Sequence, residues 1–336
     1  MLDHSGAPAV YEAGGEMHPR AGETLTGAEV IVEVLHQEGV RHIFGYSGGA
    51  ILPTFDAVFR HNQERAAGGG AAPMEMVVPA NEQGAAFMAA GYARASGEVG
   101  VVMVTSGPGA CNTVTAVRDC MADSVPIVVL CGQVPTTAIG TDAFQEAPVS
   151  SIMGAACKHV FLVTESERLE ATLRTAFELA RSGRPGPVVV DLPKNVQTAS
   201  VTYSGTSRLA VPGYRQRMAR MQENVLSRSR MERFFDMLRE CEAPLLYVGG
   251  GAINGEASAA VSELAELCGI PVVTTLMGIG AFDTKHPLSL HMLGMHGTAF
   301  ANYAVEDCDF LIAVGSRFDD RVAGVPSQFA PKTRHI

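Results

Sequence analysis

The sequence predicts an α/β protein made of two doubly wound domains, each built on a parallel sheet. Short runs rich in Val, Ile and Leu alternate along the chain with segments of helical composition. These runs are apolar at successive positions, which is typical of strands that are buried on both faces beneath helices. The length of 336 residues is sufficient for two domains that each bury a core.

The first series of elements lies within residues 24–195, the predicted first domain. Thr26 and Glu29 form a capping-box pattern that predicts the start of an amphipathic helix, and Gly39 predicts its end. Strands are expected over 42–46, 75–79, 99–105, 127–131 and 188–191, and the helices between them over 52–59, 83–95, 110–122 and 167–181.

A second, shorter series of elements lies within residues 229–336. Strands are expected over 245–248, 272–275 and 310–314, and helices over 256–268 and 298–305. Three strands are fewer than the five or six usual in a doubly wound sheet, so we expect this domain to be incomplete.

Three further stretches are predicted to lie outside the two domains' cores. Residues 1–23, rich in Gly, Ala, Pro and charge, are expected to be a flexible tail. Residues 196–228 have the polar composition of a linker. The stretch 60–73, with its three consecutive glycines, is interpreted as a surface insertion.

Charge and composition narrow the class of protein. The chain carries 25 Lys and Arg against 35 Asp and Glu, a net charge of −10, and 47% of its residues are hydrophobic. This balance excludes an intrinsically disordered chain and argues against nucleic acid as a partner. No apolar run approaches the roughly 20 residues of a membrane span, so no membrane association is expected. The seven scattered cysteines predict reduced, buried thiols, and without a signal-like N-terminal segment a cytoplasmic location is expected.

The residues that follow the strands are the candidate site, because open α/β sheets bind ligands outside the carboxyl ends of their strands. Glu82 comes soon after one apolar strand and opens an Ala-rich helix. It has two interpretations at this point. One is a carboxylate that merely complements the helix dipole, and the other is a desolvated carboxylate that donates or accepts a proton.

Two glycine-containing loops follow neighbouring strands of the same series. Residues 106–109, Ser-Gly-Pro-Gly, join a strand directly to a helix, either as a simple turn or as a close backbone approach to a ligand. The long, semi-polar loop over 132–146 is more typical of a functional segment than of a structural one. Neither a P-loop nor a complete GxGxxG spacing is present, so a standard nucleotide fingerprint is not supported.

The last candidates lie in the second series, over 293–297 and 315–321. The latter stretch combines two arginines and two aspartates, which form either a solvated salt-bridge cluster or a fork for phosphate or flavin oxygens. His296 has no second ligand at metal-binding spacing, so it is interpreted as a structural histidine and no metal site is predicted.

Taken together, these stretches resemble the large catalytic subunit of the acetolactate synthase (acetohydroxyacid synthase) family, thiamine-diphosphate enzymes that carry FAD. The resemblance runs from Thr26 to about Ile336. It rests on the blocks FGYSGGAILP, NEQGAAFMAAGYARASG, TSGPGACN, DSVPIVVLCGQVP, IGTDAFQE, SGRPGPVVVDLPK, TLMGIG, LSLHMLGMHGT, ANYAVEDCD and GSRFDDRV, in that order.

The resemblance implies a thiamine site in the first domain, the pyrimidine-binding domain. Glu82 matches the glutamate that hydrogen-bonds the pyrimidine ring of thiamine diphosphate and promotes the proton transfer that activates the cofactor. Other matching positions line the same cofactor, namely Ser106, Gly107, Ser124 and Gln145. Residues matching the sides of the substrate channel are Phe144 and Lys158.

The resemblance also implies that FAD is bound in a largely structural role. Arg184 matches a flavin-contacting arginine. The positions that match the FAD cradle of the central domain are Gly250, Thr275, Leu276, Leu293, Gly294, Met295, His296, Gly315, Ser316, Arg317, Phe318 and Asp319.

The activity implied is decarboxylation of pyruvate and condensation with a second pyruvate or with 2-oxobutyrate, at the entry to branched-chain amino-acid biosynthesis. The family's dimers or tetramers, with a small regulatory subunit, are implied as well. Its third domain, which holds Mg²⁺ and the diphosphate, matches no stretch here, so the chain alone is expected to be inactive. Two alternatives stay open: another thiamine enzyme, such as a pyruvate oxidase or a sulfoacetaldehyde-type lyase, or a non-catalytic FAD-binding module that dimerises with complete subunits.

Overall fold

The computed structural model describes residues 18–68, 73–222 and 226–334. The chain forms two compact units, unit 1 up to Met221 and unit 2 from Gln222. The division falls inside the stretch 196–228 that was predicted to be a linker. Residues 1–17 of the predicted tail and residues 69–72 of the predicted insertion lie outside the described residues.

Unit 1 is an α/β unit around a parallel sheet. Its strands are β1 (Thr24–Thr26), β2 (His42–Tyr46), β3 (Glu75–Val77), β4 (Gly100–Val104), β5 (Ile127–Gln133), β6 (His159–Leu162), β7 (Val188–Pro193) and β8 (Ser200–Thr202). Among the described residues, six of them form one sheet in the order β3-β2-β4-β5-β7-β6, with every pair parallel. Strands β1 and β8 pair antiparallel as a separate ribbon.

Helices cover both faces of this sheet. They are α1 (Gly27–Gln37), α2 (Leu52–Ala67), α3 (Glu82–Ser96), α4 (Pro108–Asn112), α5 (Val114–Asp123), α6 (Val149–Gly154), α7 (Leu169–Arg181), α8 (Lys194–Thr198) and α9 (Tyr214–Gln222). Helices α1, α2 and α7 contribute to the core on one face, and α3 and α5 to the core on the other. The doubly wound prediction is confirmed for this unit.

The packing of unit 1 follows from its sequence pattern. The predicted capping box is present, since Thr26 Oγ1 accepts from the Glu29 N–H at 3.3 Å and Glu29 Oε2 accepts from the Thr26 N–H at 2.7 Å. Helix α3 buries five alanines, and a Cβ on Gly100 of β4 would lie 2.3 Å from the Ala89 carbonyl oxygen. Small side chains therefore bring α3, which carries Glu82 at its start, directly onto the sheet.

Unit 2 repeats this architecture on a smaller scale. It contains β9 (Pro244–Val248), β10 (Val272–Thr274), β11 (Ser289–Met292), β12 (Phe310–Val314), α10 (Arg228–Glu240), α11 (Gly250–Asn254), α12 (Ser258–Cys268) and α13 (Ala299–Asp307). Over residues 226–334 the sheet is parallel with the order β11-β10-β9-β12. The three strands predicted for this domain are thus an undercount, because β11 was missed. Helices α12 and α13 contribute to cores on opposite faces of the sheet.

Several stretches differ from the sequence predictions. Within the predicted linker, β8 pairs with β1. Helix α9 is attached to α7 through Arg215, whose guanidinium binds Glu178. Helix α2 continues through Ala67, so most of the predicted insertion is helical where it is described. At the end of the predicted tail, Arg20 pairs with Glu33 at 2.7 Å.

All seven cysteines have free thiols. The prediction that they are buried is correct for Cys120, Cys131, Cys157 and Cys308, and wrong for the exposed Cys111 and Cys268. Among the described helices, none combines the length and the apolar character that crossing a membrane requires.

Candidate functional site

The order of strands in unit 1 creates a crevice between β2 and β4. From β2 the chain passes through α2, on one face, to β3, and from β4 it passes through α5, on the other face, to β5. The loops that leave β2 and β4 therefore diverge, and such a switch point is where open α/β sheets bind ligands. Where they leave the sheet, the two loops are still in contact, because a Cβ on Gly48 would lie only 2.5 Å from the Thr105 side chain.

Glu82 lies beside this crevice, at the first position of α3. Asn81 caps the helix, because its Oδ1 accepts from the Gly84 N–H at 2.7 Å. The Glu82 side chain is half-buried and its Oε2 accepts from Asn112 Nδ2 at 2.9 Å. A Cβ on Gly109 would lie 3.7 Å from Glu82 Oε1, so the carboxylate faces the turn that follows β4. Asn112 was not predicted as a site residue, although it ends the quoted TSGPGACN block.

Ser106, Gly107 and Gln145 meet at the same place. Ser106 is buried, and Gly107 has a positive φ of 56° that glycine adopts without strain. A Cβ on Gly107 would lie 2.4 Å from the Gln145 carbonyl oxygen, so the backbone of the 132–146 loop rests directly on this glycine. Gln145 itself has a positive φ of 57° and an exposed side chain.

Ser124 and Arg184 bind each other rather than lying at separate places. Arg184 Nε donates to Ser124 Oγ at 2.8 Å, and its Nη2 donates to the carbonyls of Met121 and Ala122 at 2.8 and 2.9 Å. The guanidinium therefore satisfies the carboxyl end of α5, where Ser124 adopts a left-handed conformation with φ 61°.

The two predicted channel residues have opposite environments. The Phe144 side chain is 88% exposed at the tip of the 132–146 loop. Lys158 Nζ instead donates to the Leu179 and Ser182 carbonyls at 2.5 and 2.6 Å, at the end of α7. Burial lowers the pKa of Lys158 to about 8. In this structure Lys158 stabilises the end of a helix.

In unit 2 the corresponding crevice lies between β9 and β12, where the strand order reverses. Its walls are glycine backbones. A Cβ on Gly249 would lie 2.3 Å from the Gly315 carbonyl oxygen, and one on Gly315 would lie 2.4 Å from the Ala252 nitrogen. The predicted cradle residue Gly250 packs against Met277 in the same way, since a Cβ on Gly250 would lie 2.9 Å from the Met277 Cβ.

Two hydroxyl groups at this crevice have no hydrogen-bond partner. Tyr247 in β9 is fully buried, and its hydroxyl lies near the Ser316 hydroxyl and the Phe318 backbone, but neither hydroxyl makes a hydrogen bond of acceptable geometry. Burial raises the pKa of Tyr247 to about 12. The Phe318 ring lies edge-on to Tyr247, with centroids 5.1 Å apart.

The loops after β10 and β11 complete this edge of the sheet. Thr275 Oγ1 accepts from the Gly278 N–H at 3.0 Å, while the neighbouring Leu276 side chain is exposed. Gly294 is held by Asn302, which accepts from the Gly294 N–H at 2.8 Å and donates to its carbonyl at 3.0 Å. Asn302 was missed by the sequence analysis.

The remaining predicted cradle residues divide by exposure. Leu293 is buried, whereas Met295 and His296 are exposed, so the interpretation of His296 as a satisfied structural histidine is not supported. Arg317 Nη2 lies 3.4 Å from Asp319 Oδ2 in an exposed pair, which contributes little to stability. Within the parts of the chain that the structure describes, no group of three or more His, Cys, Asp or Glu side chains could hold a metal ion.

A buried polar cluster at the carboxyl end of β5 and β7 was not predicted. Gln133 Nε2 donates to Asp191 Oδ2 at 3.0 Å and to the Ala147 carbonyl at 3.1 Å, and all three residues are buried. Asp191 Oδ1 has no partner, and burial raises the pKa of this carboxyl to about 7. The available signal was weak: a lone Asp in an otherwise apolar strand.

Comparison with known proteins agrees with this geometry. Residues 25–153 match the family model "Thiamine pyrophosphate enzyme, N-terminal TPP binding domain", and residues 231–336 match "Thiamine pyrophosphate enzyme, central domain". The first match lies within unit 1 and the second within unit 2, and each includes the strands that border the crevice of its unit.

Individual relatives are acetolactate synthases. The chain is 47% identical over 313 residues to the mitochondrial acetolactate synthase catalytic subunit of Saccharomyces cerevisiae, covering 92% of this chain and 44% of the relative. It is 46% identical over 320 residues to the acetolactate synthase of Arthrospira platensis, with 94% and 53% covered. With that of Mycobacterium bovis the identity is 46% over 315 residues, with 94% and 48% covered.

The chain thus spans about half the length of the curated relatives it matches. Two domain matches of one enzyme family, in the expected order, and identities near 45% over more than nine-tenths of the chain lead to one assignment. The chain belongs to the thiamine pyrophosphate enzyme family, as its N-terminal and central domains, and is a homologue of acetolactate synthases.

Proposed function

We propose that this chain supplies the thiamine-pyrimidine site and the FAD site of an acetolactate synthase. The reaction is decarboxylation of pyruvate followed by condensation with a second pyruvate or with 2-oxobutyrate. The observation that carries the proposal is the position of Glu82, a half-buried carboxylate at the switch point of unit 1, facing the Gly107–Gly109 turn.

The residues of unit 1 fit the pyrimidine side of thiamine diphosphate. Glu82 Oε1 faces the turn after β4 while Oε2 is held by Asn112, so one carboxylate oxygen is oriented and the other is available to a ligand. Gly107 and Gln145 bring two backbone segments to the same crevice. When bound, thiamine diphosphate supplies the nucleophilic carbon that 2-oxoacid decarboxylation requires.

The chain's own chemical contribution in this proposal is proton handling and positioning. Glu82 holds or moves a proton at the pyrimidine ring, a role for which a carboxylate within hydrogen-bond reach is suited. Asn112 fixes the orientation of that carboxylate. The exposed Phe144 side chain, on the loop that carries Gln145, is available to contact the substrate's apolar methyl group.

The glycine-lined crevice of unit 2 fits an extended cofactor such as FAD. Backbones at Gly249, Gly250 and Gly315 leave no side chain to fill the crevice, and the unpaired hydroxyls of Tyr247 and Ser316 offer donors to a polar ligand. We assign the flavin a structural role, because the proposed reaction involves no net oxidation or reduction.

Other features implied by the resemblance stay predictions. They are Mg²⁺, for which no ligand of this chain is assigned, the dimer or tetramer, the small regulatory subunit and the cytoplasmic location. Seven free thiols support a reducing compartment.

The proposal is tested by titrating the purified chain with thiamine diphosphate in a calorimeter, in the presence of Mg²⁺ and FAD. Glu82→Gln keeps the shape of the side chain but removes its charge. We expect it to weaken binding by about tenfold or more, since a hydrogen bond to a charged group is worth about 1.5–3 kcal/mol. The readout is binding of the cofactor, which does not require turnover by the chain.

Glu167→Gln is the matched control, because Glu167 is an exposed carboxylate of the same unit ahead of α7. It should bind the cofactor as the unmodified chain does. Equal affinities for the unmodified chain and for Glu82→Gln would refute the role assigned to Glu82.

A further inference from the structure

The segment Asp191–Gln197, here called the β7–α8 segment, runs from the carboxyl end of β7 through α8. Three of its polar side chains, those of Asp191, Asn195 and Gln197, bind residues far away in sequence. Their partners belong to the loops that leave β5 and β2. Both loops border the crevice of unit 1.

The loop after β5 is attached to the β7–α8 segment at both of its ends. At the start, the Thr136 N–H donates to Asn195 Oδ1 at 2.9 Å and Asn195 Nδ2 donates to Thr136 Oγ1 at 3.0 Å. At the end, Gln133 Nε2 bridges Asp191 Oδ2 and the Ala147 carbonyl. Gln145, whose backbone rests on Gly107, lies between these two attachments.

The loop after β2 is attached through Gln197, which is fully buried. Gln197 Nε2 donates to the Ala50 carbonyl at 2.7 Å and to the Leu192 carbonyl at 2.8 Å, and Gln197 Oε1 accepts from Thr54 Oγ1 at 2.9 Å. A Cβ on Gly132 would lie 2.8 Å from the Ala50 carbonyl carbon, so the two loops also contact each other.

These bonds matter because the middle of the loop after β5 has no buried residue. The buried apolar residues Val134 and Ala147 flank it, whereas none of residues 135–146 is buried. Burial of apolar surface therefore contributes little to the position of residues 135–146, which depends mainly on polar contacts. Within the loop, Glu146 accepts from the Gly140 and Ala143 N–H groups at 2.5 and 3.1 Å, which fixes the shape of the loop but not its place on the sheet.

We propose that the β7–α8 segment is a positioning element of the thiamine site: Asp191 and Asn195 hold the Gln145 loop, and Gln197 holds the loop after β2. Its functional meaning rests on the proposed cofactor site, whereas the positioning itself does not. Asn195 and Asp191 act through Thr136 and Gln133, so they are positioning residues.

The test is hydrogen–deuterium exchange of the full chain, measured on peptides from 135–146, first without cofactor and then with thiamine diphosphate and Mg²⁺. In Asn195→Ala we expect exchange of this loop to be about fivefold faster, as expected for the loss of about 1 kcal/mol of hydrogen bonding. Asn195→Asp keeps an oxygen that accepts from the Thr136 N–H, so it should restore most of the protection. Peptides from α7 should exchange at unchanged rates in both variants.

Thr198→Ala is the matched control in the same helix, α8, since Thr198 Oγ1 bonds only the Lys194 and Asn195 carbonyls of that helix. Gln133→Leu is a stronger variant, in which loop exchange should be more than about tenfold faster because two buried acceptors lose their donor. If that variant does not fold, the three variants at the exposed positions Asn195 and Thr198 still test the proposal.

Unchanged loop exchange in Asn195→Ala, or faster exchange that Asn195→Asp does not restore, would overturn the proposal. The cofactor arm separates it from the proposed function. If thiamine diphosphate does not slow exchange of the loop in the unmodified chain, the proposed function is contradicted while the comparison made without cofactor still stands.

Discussion

The crevices of unit 1 and unit 2 lie at equivalent places in their sheets but are held by different means. In unit 1, the buried polar side chains of Gln133 and Gln197 fix the surrounding loops through hydrogen bonds. In unit 2, Gly249 and Gly315 pack backbone against backbone, and the buried Tyr247 hydroxyl has no partner. The crevice of unit 1 is therefore held by side-chain hydrogen bonds, and that of unit 2 by close packing of glycine backbones.

Under the proposed function, this difference matches two kinds of ligand. Side-chain hydrogen bonds define the place of a loop, which suits a site that must orient a carboxylate such as Glu82 toward a ring. Glycine backbones place no side chains along the crevice, which suits an extended ligand that is held mainly by shape. Under the same proposal, the Tyr247 and Ser316 hydroxyls, which make no hydrogen bond within the protein, are polar groups that the ligand would satisfy.

The largest effect is expected where the glycine packing of unit 2 is broken. Gly249 has an ordinary φ of −105°, but a Cβ there would lie 2.3 Å from the Gly315 carbonyl oxygen. Gly249→Ala must therefore separate two backbone segments, and we expect it to destabilise unit 2 by about 3 kcal/mol or more. The measurement is hydrogen exchange in peptides from β9 and β12 at increasing urea concentration.

Gly269→Ala separates packing from backbone strain. Gly269 has a φ of 65°, but no atom lies within 4 Å of a Cβ placed there. This variant should cost about 1–2 kcal/mol, the usual penalty of a left-handed alanine. If Gly249→Ala costs no more than Gly269→Ala, the packing of glycine backbones does not hold this edge.

Sequence patterns recovered the central strands of both units and the edge strands β3 and β12, and missed the other two edge strands. The bounds of β2 and β12 were predicted as observed, because a run of apolar residues is the signal of a strand. Strands β6 and β11 lie at sheet edges and have no buried residue, so the same signal is absent from them. The short ribbon of β1 and β8 gives no pattern beyond three residues per strand.

The candidate site was predictable residue by residue but not as a set of contacts. Glu82, Gly107 and Gln145 follow strands, so their place at the carboxyl edge could be expected. The bond between Gln133 and Asp191 joins residues 58 apart in sequence. It depends on β7 lying next to β5, ahead of β6, and an alternation of strands and helices does not reveal that order.

The next prediction sharpens the comparison through the cost of burying a carboxyl in unit 1. Burial raises the pKa of Asp191 from 3.8 to about 7, so the folded chain binds this proton more tightly than the unfolded chain. The contribution of Asp191 to the free energy of unfolding therefore falls as the pH rises from about 4 to about 7. The difference in the free energy of unfolding between Asp191→Asn and the unmodified chain should therefore increase by about 2–3 kcal/mol, in favour of the variant, as the pH is raised from 5 to 8.

Asp309 of unit 2 provides the opposite case. Its carboxylate accepts from the Glu242 and Ala243 N–H groups at 2.9 and 3.0 Å, and these bonds lower the pKa of Asp309. The stability it contributes is present above the unfolded pKa and is lost only as the pH falls through the lower folded pKa. Asp309→Asn should therefore show no such change between pH 5 and pH 8. Equal pH dependence in urea unfolding of the two variants would contradict the raised pKa of the buried Asp191.

The smallest effect compares two buried tyrosines, one in each unit. The Tyr203 hydroxyl donates to Gln37 Oε1 at 2.9 Å and accepts from Arg174 Nη2 at 3.0 Å, whereas the Tyr247 hydroxyl has no partner. Tyr203→Phe should cost about 1–2 kcal/mol, and Tyr247→Phe should be neutral or stabilising by up to about 1 kcal/mol. With FAD added, the difference in stability between the two variants should become smaller or change sign, because Tyr247→Phe removes a donor that the flavin would satisfy. Thermal unfolding with and without FAD measures both, and an equal loss in both variants without FAD would show that Tyr247 is as well satisfied as Tyr203.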